Sequence, residues 1–294
     1  MKDVLIAGGS GLIGTEVGNF LKTKGYGVKI LSRKPTDKSK GIYHWDIASG
    51  KIDLEAFVDT AYVINLTGSS IIGGRWTTKR KKELRDSRIL STKLLVDQIN
   101  ENEVPIQHFI QGSAMGYYGD SGDAIITEES PSGIDFMAQL CVDWEQASDH
   151  LEQGEKSTLR IALYLSKAGG VYATLSKLAR YYVASAFGNG TMWAAYTHQN
   201  EFALIIEGIF TNTLPAGVYN PVGREPFQMN TLVSKIAQNE GAMAFLPNVP
   251  SFILKLVLGE ASATLLNSYR VTSPKLSRLG IHKYNNLKQA LKAL

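Results

Sequence analysis

A single cysteine, Cys141, stands in 294 residues. No intramolecular disulfide can form, which suits a reducing compartment, and a cytoplasmic location is expected. No run of about eighteen apolar residues occurs, so no membrane-spanning helix is expected. Glycine breaks the apolar start at residues 2–7 too early for a secretory signal. The five histidines are scattered without metal-ligand spacing, so no metal site is expected. Internal repeats and low-complexity segments are missing. Charge of one sign does not dominate: the net charge of +4 suits an anionic cofactor and does not call for nucleic acid. The Lys79-Arg80-Lys81-Lys82 run has no aromatic residues between its cations, and reads as the solvated face of a helix. Hydrophobic residues make up 44% of the chain, enough to bury a substantial core. The expected partner is a small-molecule substrate, and the expected assembly a monomer or homodimer.

What is present is concentrated at the N-terminus. The apolar run Val4-Leu5-Ile6-Ala7 leads into Gly8-Gly9-Ser10-Gly11-Leu12-Ile13-Gly14, and helical character follows through Phe20-Leu21. A buried strand that enters a glycine-rich turn and then a helix is a dinucleotide site. Gly8 permits the tight turn. Gly11 lets the N–H groups around Leu12 and Ile13 approach a pyrophosphate at the positive end of the helix dipole. Gly14 lets the helix pack closely. A turn that merely connects two elements is the plainer alternative, and the strand–turn–helix placement speaks against it.

Val28-Lys29-Ile30-Leu31 reads as the second strand. An NAD-selective site would place Asp or Glu at its end, to bind the ribose hydroxyls. Ser32-Arg33-Lys34 stands there instead. A guanidinium and a hydroxyl bind a 2′-phosphate that a carboxylate would repel. NADP(H) is therefore the expected cofactor. Further strands are expected at 42–45, 61–66, 108–111 and 159–163, with helices at 79–100 and 134–153. Their alternation implies an α/β fold, a Rossmann-like doubly wound parallel sheet. Asp46 falls after the third strand, within reach of an adenine edge. Asn65-Leu66-Thr67-Gly68 ends the fourth, at the carboxyl edge where ligands sit. Residues 1–165 are expected to form the dinucleotide-binding domain. Residues 166–294 are expected to form a smaller α/β substrate lobe, mainly helical at its end, with some segments returning to the sheet.

The chain resembles the extended short-chain dehydrogenase/reductases, and within them the atypical group described as epimerase-family proteins or nucleoside-diphosphate-sugar epimerases. The residues that carry this resemblance run through nearly the whole chain. They include the glycine turn, Leu31-Ser32-Arg33-Lys34-Pro35, Asn65-Leu66-Thr67-Gly68, Arg75-Trp76-Thr77, Ser113-Ala114-Met115-Gly116-Tyr117-Tyr118-Gly119, Trp144-Glu145 and Pro274-Lys275-Leu276. The resemblance implies cofactor contacts at Ser32, Arg33, Leu66, Thr67, Glu83 and Arg88. Arg88 stands where ordinary members carry asparagine, and would meet the nicotinamide ribose or a substrate oxyanion, or else lie on a helix surface. Arg75, Cys141 and His198 fall on the substrate side, His198 either capping the pocket or serving the structure alone.

Ordinary members use a Tyr-x-x-x-Lys pair on one helix face, where the lysine lowers the pKa of a proton-carrying tyrosine. Here Met137 and Cys141 occupy those two positions. Met137 carries no proton, and Cys141 brings no positive charge. Ser113 survives, and Tyr117 or Tyr118 remains to act as acid or base. The chain also departs from its group at Leu178-Ala179-Arg180-Tyr181-Tyr182 and Thr191-Met192, where a substrate-lobe cation is usual. Two functions follow: an NADP(H)-dependent oxidoreductase or epimerase, or a catalytically weak NADP(H)-binding regulatory or redox-sensing protein.

Overall fold

Alternate residues of a strand face opposite sides of its sheet, and both sides of the central strands here are apolar. The computed structural model describes residues 2–294. The chain opens with β1 (Asp3–Ala7), α1 (Leu12–Thr23), β2 (Gly27–Ser32), β3 (Ile42–Asp46) and β4 (Lys51–Ile52). Then come β5 (Thr60–Asn65), α2 (Thr78–Glu101), β6 (His108–Ala114), β7 (Ile125–Ile126) and α3 (Phe136–Gln146). β8 (Glu155–Ile161), β9 (Leu163–Ser166) and α4 (Gly170–Arg180) follow, then β10 (Trp193–Ala194), β11 (Tyr196–His198) and α5 (Gln199–Phe210). The last stretch holds β12 (Val218–Tyr219), β13 (Phe227–Gln228), α6 (Met229–Asn239), α7 (Ser251–Leu258), α8 (Ala263–Leu266), β14 (Arg270–Val271), α9 (Pro274–Arg278) and α10 (Leu287–Lys292).

The main sheet has eight strands in the order β12-β8-β6-β5-β1-β2-β3-β4. All its pairings are parallel except β3 with β4. Order runs outward in both directions from β1, the mark of a doubly wound Rossmann-like sheet. Val4 and Ile6 face a core shared with Val17 and Leu21 of α1 and with Phe202, Ile205 and Ile209 of α5. Leu5 and Ala7 face the opposite core, with Leu95, Val96 and Ile99 of α2. Burial on both faces explains why these strands read as unbroken apolar runs. A third core, with Tyr172, Leu175, Leu232, Ile236 and Leu291, joins α4, α6 and α10 in the C-terminal part. β12 lies in that part yet pairs with β8, so the sheet takes a strand from beyond residue 165. Among the described residues no helix is long and apolar enough to cross a membrane.

Two boundaries differ from the sequence expectation. The helix expected over 134–153 covers only Phe136–Gln146. Asp135 caps its start by accepting the Ala138 N–H at 2.8 Å. Past its end the chain is held to α2 instead, because Asn100 donates to the His150 carbonyl and accepts the Glu152 N–H. The strand expected over 159–163 is two strands, β8 and β9. They part at Ala162, whose N–H goes to the Thr197 hydroxyl at 2.9 Å, and β9 then pairs with β11.

The glycine turn is built from close backbone approaches. Gly8 has φ of +81°, and a Cβ there would lie 2.6 Å from the Leu66 carbonyl oxygen. A Cβ on Gly14 would lie 2.5 Å from the Gly8 carbonyl oxygen and 2.7 Å from the Gly9 Cα. Backbone cannot yield there as a side chain would. Gly14→Ala is expected to lower stability by about 1–3 kcal/mol, the usual cost of overpacking. Urea denaturation checks this, and an unchanged midpoint would show that the turn has slack.

Candidate functional site

β1 and β2 pair with Ala7 beside Leu31, so the glycine turn and Ser32 emerge side by side at the carboxyl edge. Gly11 is the N-cap of α1 and brings no side-chain cap, and the first turn holds no acidic residue. The opening N–H groups, those of Leu12 and Ile13 among them, thus lack a side-chain acceptor at the positive end of the helix. A Cβ on Gly11 would meet only the Gly8 carbonyl oxygen, at 3.3 Å. The space beside Gly11 is open where that beside Gly14 is closed. Ser32 accepts the Lys34 N–H at 3.1 Å, which bends the chain outward after β2. Arg33 is exposed, and no ion pair engages it among the described residues. Asp46 accepts from the Ser49 hydroxyl and the Ala48 N–H, and these bonds hold its carboxyl below the usual range.

The next edge, after β5, is polar and buried. Asn65 donates to Thr92 and Gln111 and accepts from Thr67, whose hydroxyl also meets Ser91. This fixes Leu66, Thr67 and Gly68 against α2. Arg88 lies on that helix face, and it is buried rather than on the surface. Its guanidinium sits 5.0 Å from the Trp144 ring centre and donates to the Leu84 and Ser69 carbonyls at 3.1 Å. Among the described residues no carboxylate pairs with it, and burial lowers its pKa to about 10. Gly68 makes room for it, since a Cβ there would stand 2.8 Å from the Arg88 Cζ. Glu83 is half exposed and pairs with Arg80 at 2.6 Å.

At the end of β6, Ser113 donates to Glu145 Oε1 at 2.6 Å. Glu145 in turn receives Arg160 through Nε and a terminal nitrogen, both at 2.9 Å. Arg160 also donates to the Tyr118 hydroxyl, which donates to Asn220. Its guanidinium lies 3.4 Å from the Tyr117 ring centre. Burial would lower the pKa of Arg160, but the bonds it donates to Glu145 hold it well above the ordinary value. Burial raises the Tyr118 phenol against the opposing pull of Arg160. Both sides of the Tyr118 hydroxyl are therefore occupied, while Tyr117 packs by its ring and is half-buried. The sequence reading did not single out Glu145, Arg160 or Asn220 for a role. One signal was available: Arg160 interrupts an otherwise uncharged stretch, Ser157-Thr158-Leu159-Arg160-Ile161.

The three residues expected on the substrate side are each engaged within the protein. Arg75 donates to the Val257 and Leu256 carbonyls and so closes the end of α7. Cys141 faces the turn at Gly116 with Met137, and burial pushes its thiol up to about 12. His198 caps α5 by accepting the Asn200 N–H at 3.1 Å, and its ring packs on Tyr284 with centres 4.4 Å apart. Burial pushes its pKa down to about 4. A half-open chamber of about 250 Å³ does exist nearby, between Met115, Met137, Ile161, Leu163, Trp193 and Tyr269.

Residues 4–137 match the NAD dependent epimerase/dehydratase family, and residues 249–294 match a domain of unknown function, DUF1731. An epimerase family protein of Staphylococcus haemolyticus is 32% identical over 311 residues, covering 100% of this chain and 99% of its own. The chain belongs to the epimerase family. A chloroplastic member from Arabidopsis thaliana, the SDR39U1 homolog, is 28% identical and aligns over 99% of this chain and 86% of its own. The human epimerase family protein SDR39U1, solved with NADPH, superposes with a TM-score of 0.88 at 27% identity, covering 99% of this chain and 98% of the human one.

Two results are expected of this epimerase-family site. Glu145→Ala leaves the Arg160 charge buried without its carboxylate, and should cost about 3–5 kcal/mol in denaturant unfolding. Changing both residues to apolar ones of similar size should cost less, and equal losses would mean that the pair matters only for its packing. His198 is neutral when folded and takes up a proton on unfolding below its ordinary value of 6.5. The unfolded chain therefore binds more protons between about pH 6.5 and 4, and stability falls over that window as pH drops, by up to about 3 kcal/mol. His198→Gln should flatten this part of the pH–stability curve.

Proposed function

We propose that the protein is an NADP(H)-dependent oxidoreductase or epimerase acting on a small molecule. The observation that carries this reading is the uncapped start of α1 at Gly11, lying beside an exposed Arg33 at the end of the neighbouring strand. The human relative solved with NADPH supports the same cofactor here. In this reading the first N–H groups of α1 hold the pyrophosphate, with Gly8 and Gly14 setting the turn. Ser32 and Arg33 take the 2′-phosphate, and Asp46 meets the adenine edge. Leu66, Thr67 and Gly68 flank the cofactor beyond the pyrophosphate. Arg88, which has no carboxylate of its own, meets the nicotinamide ribose or a substrate oxyanion. Glu83, exposed and paired with Arg80, adds a further contact to the cofactor. The bound dinucleotide supplies or accepts a hydride at its nicotinamide C4.

Proton handling falls to the end of β6. Ser113 gives its own proton to Glu145, which leaves the serine lone pairs free to accept from a substrate hydroxyl. Of the two tyrosines, Tyr117 is the one left to move a proton, because Arg160 and Asn220 hold Tyr118. Met137 and Cys141 are bystanders. The buried thiol of Cys141 gives no support to a thiol-based redox sensor, so the regulatory alternative rests on weak catalysis alone.

A thermal-shift titration tests the cofactor assignment. NADPH at a hundredfold excess over Kd should stabilise the protein by about 2.7 kcal/mol, and NADH should do less. Arg33→Ala should remove most of that preference while NADH binding stays. Gly11→Val should abolish binding of both and leave the fold intact, since its Cβ meets only the 3.3 Å contact to Gly8. A preference for NADH, or normal NADPH binding in Gly11→Val, overturns the reading.

A further inference from the structure

The chamber beside Met137 lies against the carboxyl ends of β6 and β8, through Met115 and Gly116 on one side and Ile161 to Leu163 on the other. None of the side chains lining it carries a charge. Its volume of about 250 Å³ falls below the roughly 300–1,000 Å³ of sites for drug-sized ligands. Trp193 borders it, and the indole N–H is directed to Asp123 at 2.8 Å. The polar groups left are few, chiefly Asn267 and Tyr269. Asn267 donates to Asp135 at 3.2 Å and to the Tyr269 hydroxyl at 3.4 Å, and among the described residues nothing bonds its own carbonyl oxygen. The Tyr269 hydroxyl accepts that bond and donates to no described residue. Burial holds the phenol protonated far above neutral pH. One wall therefore offers a spare donor and a spare acceptor in an apolar box.

A nucleoside-diphosphate sugar fits this place badly. Two phosphate charges in an uncharged chamber would lose hydration without gaining partners. The larger cleft that shares Asn267, about 920 Å³, does not help, because its charged walls are Asp120, Asp123 and Glu260 against Lys255. Lys81 answers Glu260, which still leaves two carboxylates facing one lysine.

We propose that the chamber is the substrate site, that it takes a small uncharged carbonyl compound of mainly apolar bulk, and that Tyr269 donates to the substrate oxygen with Asn267 fixing the tyrosine. This rests on the oxidoreductase reading. Apolar walls supply affinity by area, and the two polar groups supply orientation. Tyr269 comes from the C-terminal part and lines the chamber together with Met137. Met137 occupies the position at which ordinary members of the superfamily carry their tyrosine.

The test uses the full chain loaded with NADP⁺, with loading verified by its thermal shift, and ligand-observed NMR with acetophenone and with UDP-glucose. Acetophenone should bind and UDP-glucose should not. Leu265→Lys, which places a charge in a half-exposed wall, should abolish acetophenone binding and leave the cofactor shift unchanged. Tyr269→Phe should weaken acetophenone by about two- to tenfold, the worth of one hydrogen bond, again with an unchanged cofactor shift. With NADPH, acetophenone or a related small ketone should be reduced, the cofactor's hydride passing to the carbonyl carbon and a proton, ultimately from water, to the oxygen. No thermal shift with either dinucleotide overturns the oxidoreductase reading and this inference together. A normal shift with UDP-glucose bound, or with neither ligand bound, overturns the inference and leaves the cofactor reading standing. Acetophenone binding that persists in Leu265→Lys shows that it binds elsewhere, and likewise overturns it.

Discussion

Arg160 brings a positive charge into the seam between the sheet and the C-terminal part, and Glu145 makes that position tenable. An unpaired ion at such a depth would cost several kcal/mol. Both Glu145 oxygens are used on the guanidinium, and a remaining lone pair takes Ser113. Arg160 then reaches Tyr118, and Tyr118 reaches Asn220 just after β12. Asn220 also gives its N–H to Glu128 at 3.3 Å. One ion pair thereby joins β6, α3, β8 and the segment after the edge strand. The apolar chamber borrows its walls from the same elements, so its shape depends on that pair remaining closed.

The two ends of the site answer to different constraints. The dinucleotide end is a matter of backbone: Gly8 and Gly14 permit contacts that no Cβ would allow, and the open start of α1 presents N–H groups. The other end is a matter of side chains, and there the usual proton-transfer pair has gone. Met137 and Cys141 pack α3 on the turn at Gly116. Shared architecture thus carries the cofactor assignment further than it carries the reaction, because function resides in the particular groups at the site. The groups that remain, Ser113 and Tyr117 on one side and Tyr269 on the other, come from well-separated parts of the chain.

The central sheet was legible because its strands are short apolar runs with glycine or polar stops, and because both faces are buried. The glycine turn was legible for a similar reason: its constraints act largely between residues a few positions apart. The place of Arg33, exposed just past β2, could be read because it follows directly on a short apolar strand. The end of α3 and the break at Ala162 could not be read this way. Asn100 and Thr197 decide them from distant positions, and an uninterrupted pattern of local preference ran through both places.

Residue types alone determined the Rossmann-like class, the turn geometry, the basic end of β2 and the absence of the tyrosine–lysine pair. These are local properties, set by sterics and by the chemistry of each side chain. Tertiary structure decided which charges are buried together, that His198 caps a helix, that Arg75 closes another, and that Tyr269 lines the chamber next to Met137. Each of these outcomes depends on packing between segments far apart in the chain. The free energy of a buried ion, ring or hydroxyl is set by what surrounds it after folding, and a linear sequence does not contain those neighbours.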